Sequence, residues 1–540
     1  MDKLDSLKIN ILTWYPFKDN SKILYLTTSD NEDIWSEYLS NISQQITIVK
    51  YNNEDSVKVN NVDNKTFIEG KFDKVKIDDQ YDYVILLGTL EYANEIFDGK
   101  NAAVKLLEFS KSKLNDNGKI LLAFDNRLGV NYLVGRKSKH CEKIFDSTKN
   151  IFNNGRLYSL SEITNILNEC NFKYKRFYYP LPNYRYTNVI FTDKRLPERN
   201  DSKINYNVLY EEGSLVLQDE CNLLKQFVIE GDFTKYTNSY FIELSEIEED
   251  NHINYVSFNN MRKDEYSLVL KIYDDKVEKT VKEQVSTNHL RNIKEYTRKM
   301  IDYGFKVAEK IDDNDIITSE LIKYPLLDTY IVSLIRKKNI EETYNVIDNW
   351  YNTIKQNLKP NEEGIIKDGF IDLVFENTFY NEEEKQFIIF DQEWYREDIP
   401  VDYILYRAIE NLYAHNKSLN NYLPKEEMKK RYNIIESEDY IKLEQSLQEE
   451  VIDQERRKMY GKQYDYMISA EEVKNIIRDT KAIYEDNVRM YKLVDEVNKK
   501  IEELREDNKR LIKGDKKIDK DLKEKYKTNI FDSIKSKLKR

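Results

Sequence analysis

Cysteine and histidine are scarce in this chain of 540 residues. Its three cysteines, Cys141, Cys170 and Cys221, are too few and too widely spaced to predict a disulfide framework or a zinc site. Only four histidines are present, which argues against a histidine-based metal centre. No apolar run is long enough to span a bilayer and no signal peptide opens the sequence, so we expect a cytoplasmic protein.

An excess of basic residues is also absent. The chain carries 85 Lys and Arg against 97 Asp and Glu, a formal net charge of -12. General nucleic-acid binding needs a basic face, so we expect no nucleic-acid partner. The length exceeds what one core normally holds and predicts two globular domains with an extension.

The first third of the chain alternates between buried-type strands and helices. A helix at 102–114 ends at Asn117-Gly118, and strands are predicted at 22–26, 46–49, 83–87 and 119–124. This alternation predicts an α/β fold with a doubly wound, parallel, Rossmann-like sheet. Any ligand would bind at the carboxyl ends of its strands.

Further along, two acids and an amide have the spacing of a phosphoryl-transfer site: Asp372, Asn377 and Asp391. Residues 377–379 and 386–390 predict a hairpin that brings Asp391 beside Asn377. These two would give Mg²⁺ on ATP hard oxygen ligands, while Asp372 would be catalytic, orienting an acceptor hydroxyl and taking its proton. The pattern is typical of kinases. The alternative is that the acids cap turns of an ordinary hairpin.

A lysine that pairs ATP phosphates, with a Glu on the next helix, is the other part that this chemistry needs. The strand at 267–272 offers Lys271, and Glu283 follows on a helical stretch. A strand at 254–258 could take the same place without a lysine, and Lys271 could equally be a solvated surface residue. Residues 320–324 would be the hinge of a bilobal, α+β kinase-like fold.

Three stretches resemble a bacterial family of class I S-adenosylmethionine-dependent methyltransferase domains found in surface-polysaccharide clusters. They are 81–93, 123–129 with Tyr132 and Gly135, and 177–184. In that family a kinase-like domain follows, with motifs similar to 372–377, 391–394 and 399–401. The resemblance spans residues 10–415. The layout is similar to bifunctional methyltransferase–kinase proteins that cap O-antigen chains, which also end in a coiled coil.

This resemblance implies a methyltransferase-like domain at 1–205 and a kinase-like domain at 206–425. It also implies that S-adenosylmethionine is bound through Asp82, Gly88 and Glu91.

The sequence departs from the family at the cofactor site. The first turn, Thr27-Thr28-Ser29-Asp30-Asn31, has no glycine, although a Gly-x-Gly turn lets the backbone approach a cofactor. Lys50 stands where the second strand should end in an acid. Lys139 replaces an acid before His140, which we interpret as a loop histidine. These departures leave methyl transfer open.

The last region, 426–540, is predicted to be helical, with a coiled coil at about 487–512. From Met490 the apolar residues follow alternating steps of three and four, and Asn508 falls on the same seam. A buried Asn there fixes register, so we expect self-association; the alternative is a single helix folded back on the kinase-like lobe. Residues 530–540 could form a basic amphipathic helix on the inner face of the membrane or on a partner enzyme, or a frayed tail.

Two classes of function follow. In the first, a cytoplasmic enzyme uses ATP to phosphorylate a sugar or small hydroxyl group of a surface glycan or glycoprotein modification. In the second, a scaffold of degenerate enzyme domains organises glycan-modifying enzymes through its coiled coil. The triad Asp372, Asn377 and Asp391 favours the enzyme, whereas the missing glycine turn and the ambiguous lysine favour the scaffold.

Overall fold

The structure, a computed structural model, describes residues 5–28, 34–54, 56–198, 201–207, 217–248, 253–311, 315–434, 438–464, 470–514 and 520–538. The chain divides into two compact units, Met1–Met467 and Ile468–Arg540. Across the described ranges, none of the helices combines the length and the apolar character needed to cross a membrane.

The strands of the described ranges all lie in the first unit. In chain order they are β1 (Lys22–Thr27), β2 (Gln45–Tyr51), β3 (Lys58–Val62), β4 (Lys65–Gly70), β5 (Tyr81–Leu87), β6 (Leu114–Asp125), β7 (Tyr174–Leu181), β8 (Val189–Thr192), β9 (Ser239–Ser245), β10 (Tyr255–Phe258), β11 (Leu268–Ile272), β12 (Lys276–Val281), β13 (Glu309–Lys310), β14 (Ile316–Glu320), β15 (Ile365–Phe370), β16 (Thr378–Asn381), β17 (Gln386–Ile389) and β18 (Tyr395–Pro400).

Helices of the same ranges occur in both units. In chain order they are α1 (Asp5–Lys8), α2 (Asn10–Thr13), α3 (Ile34–Ile42), α4 (Ala93–Ile96), α5 (Ala102–Lys111), α6 (Val130–Leu133), α7 (Leu160–Glu169), α8 (Glu220–Ile229), α9 (Phe233–Tyr236), α10 (Thr287–Asp302), α11 (Leu327–Arg336), α12 (Ile340–Leu358), α13 (Val401–His415), α14 (Lys425–Arg431), α15 (Glu438–Val451), α16 (Gln454–Tyr464), α17 (Ala470–Gly514) and α18 (Lys520–Leu538).

Fourteen of the strands form one mixed sheet, in the order β13-β14-β12-β11-β10-β8-β7-β9-β6-β5-β1-β2-β4-β3. The predicted N-terminal strands are β1, β2, β5 and β6, and they pair in parallel with one another as expected. Both faces of this region are buried. In β1, Leu24 and Leu26 pack into one core, whereas Ile23 and Tyr25 pack into another. The α/β class predicted for this part is confirmed.

Strand β9 crosses the predicted boundary at residue 205. It lies between β6 and β7 and is antiparallel to both. Beyond β7, strand β10 then pairs with β8, so the sheet continues into the antiparallel strands β11, β12, β14 and β13. The boundary therefore differs from the predicted one, because strands from both sides of residue 205 alternate within one sheet.

After the sheet, the chain builds a helical layer around a second core. Helices α11, α12 and α13 contribute Ile335, Trp350 and Ile404 to it, and β15 contributes Phe370. Two short antiparallel pairs, β15–β18 and β16–β17, lie on this layer. The second pair is the predicted hairpin.

The predicted start of the C-terminal extension also differs from the structure. Helices α14, α15 and α16 belong to the first unit, which reaches Met467 rather than residue 425. The second unit contains α17, which includes 487–512, and α18, which includes 530–538. Self-association through this region stays a prediction.

Candidate functional site

Asp372, Asn377 and Asp391 lie together where β15 ends and the β16–β17 hairpin begins and returns. One residue, Ile371, separates β15 from Asp372, and a short turn at Phe375–Asn377 leads into β16. The amide Nδ2 of Asn377 donates to the main-chain oxygens of Asp372 (3.2 Å) and Asp391 (3.5 Å). The structure thus brings together the three residues that the sequence nominated as catalyst and metal ligands.

Asp391 has an unusual backbone conformation for a residue with a side chain. Its φ of 59° is in the left-handed region, which non-glycine residues seldom adopt and which is concentrated at functional sites. Its main-chain N–H donates to Oε1 of Glu309 (2.6 Å), which holds this conformation in place. The Asp391 carboxylate forms an ion pair with Lys279.

The lysine at this site is Lys279, not the predicted Lys271. Lys279 lies on β12, and its Nζ contacts the Asp391 carboxylate and Oε1 of Glu393 (2.8 Å). On the neighbouring strand β11, Leu270 is opposite Lys279, so the next residue, Lys271, faces the other side of the sheet. Burial lowers the pKa of Lys271, and Glu278 opposes that shift. The register thus places Lys279, and not Lys271, in the position that the sequence assigned to the phosphate-pairing lysine.

Glu283, the carboxylate predicted on the helix after the lysine strand, does not lie on that helix. Glu283 is extended and precedes a short turn rather than lying on α10. Helix α10 instead presents His289, whose Nε2 is 3.5 Å from Oε2 of Glu393. Although burial opposes ionisation of Glu393, Arg262, Lys279 and His289 hold its pKa well below the usual range. Glu393 is thus the anionic centre of this cluster.

Asp372 is mostly buried, and its carboxyl has a raised pKa. Burial raises the pKa of its carboxyl to about 6, and Arg407, whose Nη2 is 4.0 Å from Oδ1, opposes the shift. The main-chain N–H of Glu393 donates to Oδ2 (3.1 Å). A carboxylate with a pKa in this range can take a proton from a hydroxyl near neutral pH.

The donor set suits a metal ion that arrives with a nucleotide. Among the side chains described, no group of three or more His, Cys, Asp or Glu is arranged to hold a metal ion. Asn377 and Asp391 offer an amide oxygen and a carboxylate, the hard donors that Mg²⁺ prefers, and Mg²⁺ normally keeps water and phosphate ligands as well. These two residues could thus supply part of an Mg²⁺ coordination shell, with the other ligands coming from outside the protein.

Stability should depend on the protonation of Glu309. Burial raises the pKa of this carboxyl from 4.5 to about 7, so the folded chain holds its proton to a higher pH than the unfolded chain does. The free energy of unfolding should therefore fall as pH rises from about 4.5 to about 7. Glu309→Gln keeps the acceptor for Asp391 but cannot ionise. We expect the pH-dependent fall in the free energy of unfolding to be about 2 kcal/mol smaller in Glu309→Gln than in the wild type. The value is kept below the full energy of the pKa shift because the Glu309 side chain is partly exposed.

Urea unfolding of both proteins at several pH values between 4.5 and 7.5 measures this difference. Lys306→Gln, a change at an exposed neighbour, is the control and should keep the wild-type slope. Equal pH slopes in wild type and Glu309→Gln would contradict the prediction.

A second charged cluster surrounds Glu91, after strand β5. Oε2 of this fully buried side chain is 2.7 Å from His140 Nε2 and 3.3 Å from Lys139 Nζ, and Oε1 accepts from the main-chain N–H of Asp125 (3.0 Å). Arg185 donates to the Asp125 carboxylate (2.6 Å). Burial alone would raise the pKa of Glu91, but Lys139, His140 and Arg185 together hold this pKa well below its usual range.

His140 lies in a loop, as interpreted from the sequence, and it is part of this buried network. Its Nδ1 is 2.7 Å from the main-chain oxygen of Asn154, and its Nε2 faces the Glu91 carboxylate. Both ring nitrogens therefore face oxygen atoms of the network. Its partner Glu91 lies 49 residues away in the chain, so the sequence did not indicate this network.

Gly88 and Glu91 share one end of the sheet, but Asp82 does not. Gly88 has a φ of 79°, and a Cβ there would lie 2.6 Å from the hydroxyl of Tyr184. Asp82 is near the amino end of β5, where its carboxylate accepts from the Lys22 N–H (2.8 Å) and from Asn115 (2.7 Å). A cofactor at the carboxyl ends of the strands would not reach Asp82.

Two other departures from the family pattern lie near these strand ends. Lys50 is on β2, and its Nζ is 3.8 Å from Glu69 on β4. The turn that lacks glycine is described only as far as Thr28, so residues 29–31 of that prediction lie outside the described residues.

Sequence reasoning missed Lys279, Glu393, Arg262, His289 and Glu309. For Lys279 a usable signal existed, because β12 is the strand directly before helix α10, the place where the phosphate-pairing lysine was expected. Glu393 is two residues beyond Asp391 and was part of the recognised stretch without a role. Nothing local in the chain nominates Arg262, His289 or Glu309.

Comparisons with known proteins give only partial alignments with solved structures. No family model and no curated protein matches the chain. Solved structures that align with part of it include phosphoethanolamine N-methyltransferase 2 of Haemonchus contortus (11% identity, 45% of this chain and 53% of that one, TM-score 0.26). Others are S-adenosylmethionine-dependent methyltransferases of Archaeoglobus fulgidus (12%, 45% and 93%, TM-score 0.26) and Mesorhizobium loti (10%, 45% and 99%, TM-score 0.24).

The chain thus spans about half the length of the Haemonchus contortus enzyme. TM-scores of this size assign neither a family nor an activity to it.

Proposed function

We propose that this protein transfers the terminal phosphoryl group of ATP to a hydroxyl acceptor. The observation that carries the proposal is the meeting of Asp372, Asn377 and Asp391 with Lys279, which lies on a strand of the sheet. Phosphoryl transfer is catalysed mainly by positioning and by charge stabilisation, and these four side chains have the chemistry for both.

Each residue has a distinct role in this proposal. Asp391 and Asn377 would hold Mg²⁺, which supplies positive charge against the phosphate oxygens. Lys279 would exchange its ion pair with Asp391 for one with phosphate while keeping Glu393 as its partner. Asp372 would orient the acceptor hydroxyl and remove its proton, which its raised pKa permits near neutral pH.

The acceptor class is proposed from the family resemblance alone. A sugar or another small hydroxyl group of a surface glycan or glycoprotein modification fits it, and self-association through α17 would organise partner enzymes. The competing proposal is a scaffold without catalysis. The buried ionisable residues favour the enzyme, because perturbed carboxyls that meet in one place are costly unless they have a role.

ATP–Mg²⁺ should raise the melting temperature of the wild-type protein by mass action, which corresponds to about 2.7 kcal/mol at a ligand concentration of 100 Kd. In Lys279→Met we expect most of this shift to disappear, since the phosphates lose their cation. Lys271→Met is the matched control: the lysine lies on the adjacent strand but faces the other side of the sheet, so the shift should persist. Each variant is compared with its own ligand-free melting curve.

Loss of the shift in Lys271→Met but not in Lys279→Met would contradict the assigned geometry. The absence of any shift in wild type would contradict ATP binding and favour the scaffold.

The carboxyl ends of β1, β5 and β6 are a second candidate site, for S-adenosylmethionine. Such strand ends are where open α/β sheets bind ligands, and Glu91 and Asp125 lie there. We rank this site second because both carboxylates already have cationic partners and Tyr184 packs against Gly88. S-adenosylmethionine is therefore the second ligand in the melting experiment.

A further inference from the structure

A short segment between α15 and α16 pairs with a distant part of the chain. The main-chain N–H of Lys263 donates to the oxygen of Val451 (2.9 Å), and that of Asp453 donates to the oxygen of Met261 (3.0 Å). Arg262 and Ile452 form the bridge between these two bonds. Residues 451–453 and 261–263 are thus joined by a β-bridge, which fixes the backbone on both sides of Arg262.

Arg456 reinforces this bridge from the first turn of α16. Its side chain is 1% exposed, and its guanidinium donates to the main-chain oxygen of Arg262 (2.8 Å) and to Oδ1 of Asp264 (2.7 Å). Asp453 precedes the helix and accepts from the main-chain N–H groups of Glu455 (2.9 Å) and Arg456 (3.1 Å), as an N-cap does. This cap therefore fixes the backbone from which the Arg456 side chain extends.

The side chain of Arg262 continues this chain of contacts into the candidate site. It forms an ion pair with the Glu393 carboxylate, and its guanidinium lies 5.3 Å from the centre of the Trp394 ring. Glu393 in turn bonds Lys279 and donates its N–H to Asp372. Displacement of Arg262 would thus affect both the lysine and the proposed base.

Helix α15 reaches the same site by a second arginine. Oε1 of Glu444 is 3.3 Å from Nε of Arg407 and accepts from the hydroxyl of Tyr403 (2.7 Å). Arg407 is the cation nearest to the Asp372 carboxylate that opposes its raised pKa. Both arginines that face the site acids are therefore held by contacts with residues 438–456.

We infer that residues 438–456 are a third structural part of the phosphoryl-transfer site, in which Arg456 and Glu444 are positioning residues for Arg262 and Arg407. This inference deepens the proposed function and rests on it. The residues touch no reacting atom; they act through the two arginines, Glu393 and Asp372. Their loss should loosen the site without removing any proposed ligand of ATP or Mg²⁺.

Arg456→Ala in the full chain, followed by hydrogen–deuterium exchange of backbone amides, tests the inference. We expect exchange in 258–266 and in 388–396 to become about 10-fold faster or more, since a buried charged hydrogen bond is lost. Exchange in β1 should not change. Arg457→Ala is the matched control, because this neighbouring arginine is exposed, and it should leave all three regions unchanged. Arg456→Lys replaces Arg456→Ala if the latter does not fold.

The ATP–Mg²⁺ melting shift is measured on the same proteins and should be smaller in Arg456→Ala than in Arg457→Ala. Faster exchange confined to 451–464, with 388–396 unchanged, would overturn the inference even if ATP binds normally. A third outcome is that exchange in 388–396 becomes faster in Arg456→Ala while ATP–Mg²⁺ does not raise the melting temperature of the wild type. That outcome would support the positioning contacts and overturn the phosphoryl-transfer proposal instead.

Discussion

Asp372→Asn is expected to slow phosphoryl transfer about 10³-fold, because a positioned base typically contributes that much and the amide cannot take a proton. The ATP–Mg²⁺ melting shift should remain, since Asp372 does not belong to the proposed ligand set. Activity of the wild type should increase as pH rises through about 6, where the buried carboxyl ionises. Transfer from radiolabelled ATP to an extract of surface glycan, or slowly to water, measures the rate.

Asp368→Asn is the control for this variant. Asp368 is a buried carboxylate on β15 that accepts from the hydroxyls of Tyr303 and Tyr395 (2.6 Å each), so its loss should affect stability but not the rate. If Asp372→Asn kept wild-type activity, or if Asp368→Asn lost as much, the assignment of the base would be wrong.

Glu393→Gln is expected to lower the free energy of unfolding by about 3–5 kcal/mol. This side chain is 3% exposed and is the shared partner of Arg262, Lys279 and His289, so a neutral amide would leave buried cations without a counter-charge. Urea unfolding at neutral pH gives the difference between variant and wild type. Glu384→Gln, in the exposed turn of the β16–β17 hairpin, is the matched control and should change stability by less than about 0.5 kcal/mol.

A value below about 1 kcal/mol for Glu393→Gln would show that these cations are solvated rather than dependent on Glu393. The ATP shift of this variant is informative as well. Lys279 would lose one of its two carboxylate partners, so we expect weaker nucleotide binding along with the lower stability.

The sequence predicted the parts of the site that are close together in the chain. Asp372, Asn377 and Asp391 are joined by one turn and one hairpin, and period-two apolar patterns with a polar turn suffice to place them. The choice between Lys271 and Lys279 required the register of β11 and β12, because neighbouring residues of a strand face opposite sides. A local pattern cannot supply that register when both strands carry lysines.

Long-range contacts account for most of the remaining differences. His140 and Glu91 come from separate loops, and Arg262 reaches Glu393 across more than a hundred residues of chain. The predicted boundary at residue 205 failed for the same reason, since the strand that completes the N-terminal part of the sheet comes from 239–245. Which distant strands pair depends on the sheet edges that earlier strands leave unpaired. The sequence of a single segment does not show those edges.

The position of β9 also constrains how this protein can be made on the ribosome. Strands β6 and β7 emerge first, but in the finished sheet they are neighbours only through β9. Until residue 245 has left the exit tunnel, each of them carries an unpaired edge, and unpaired edges attract other chains. A nascent chain that stalled in this interval would expose the unpaired edges of β6 and β7, where an extended peptide or a chaperone could bind in place of β9.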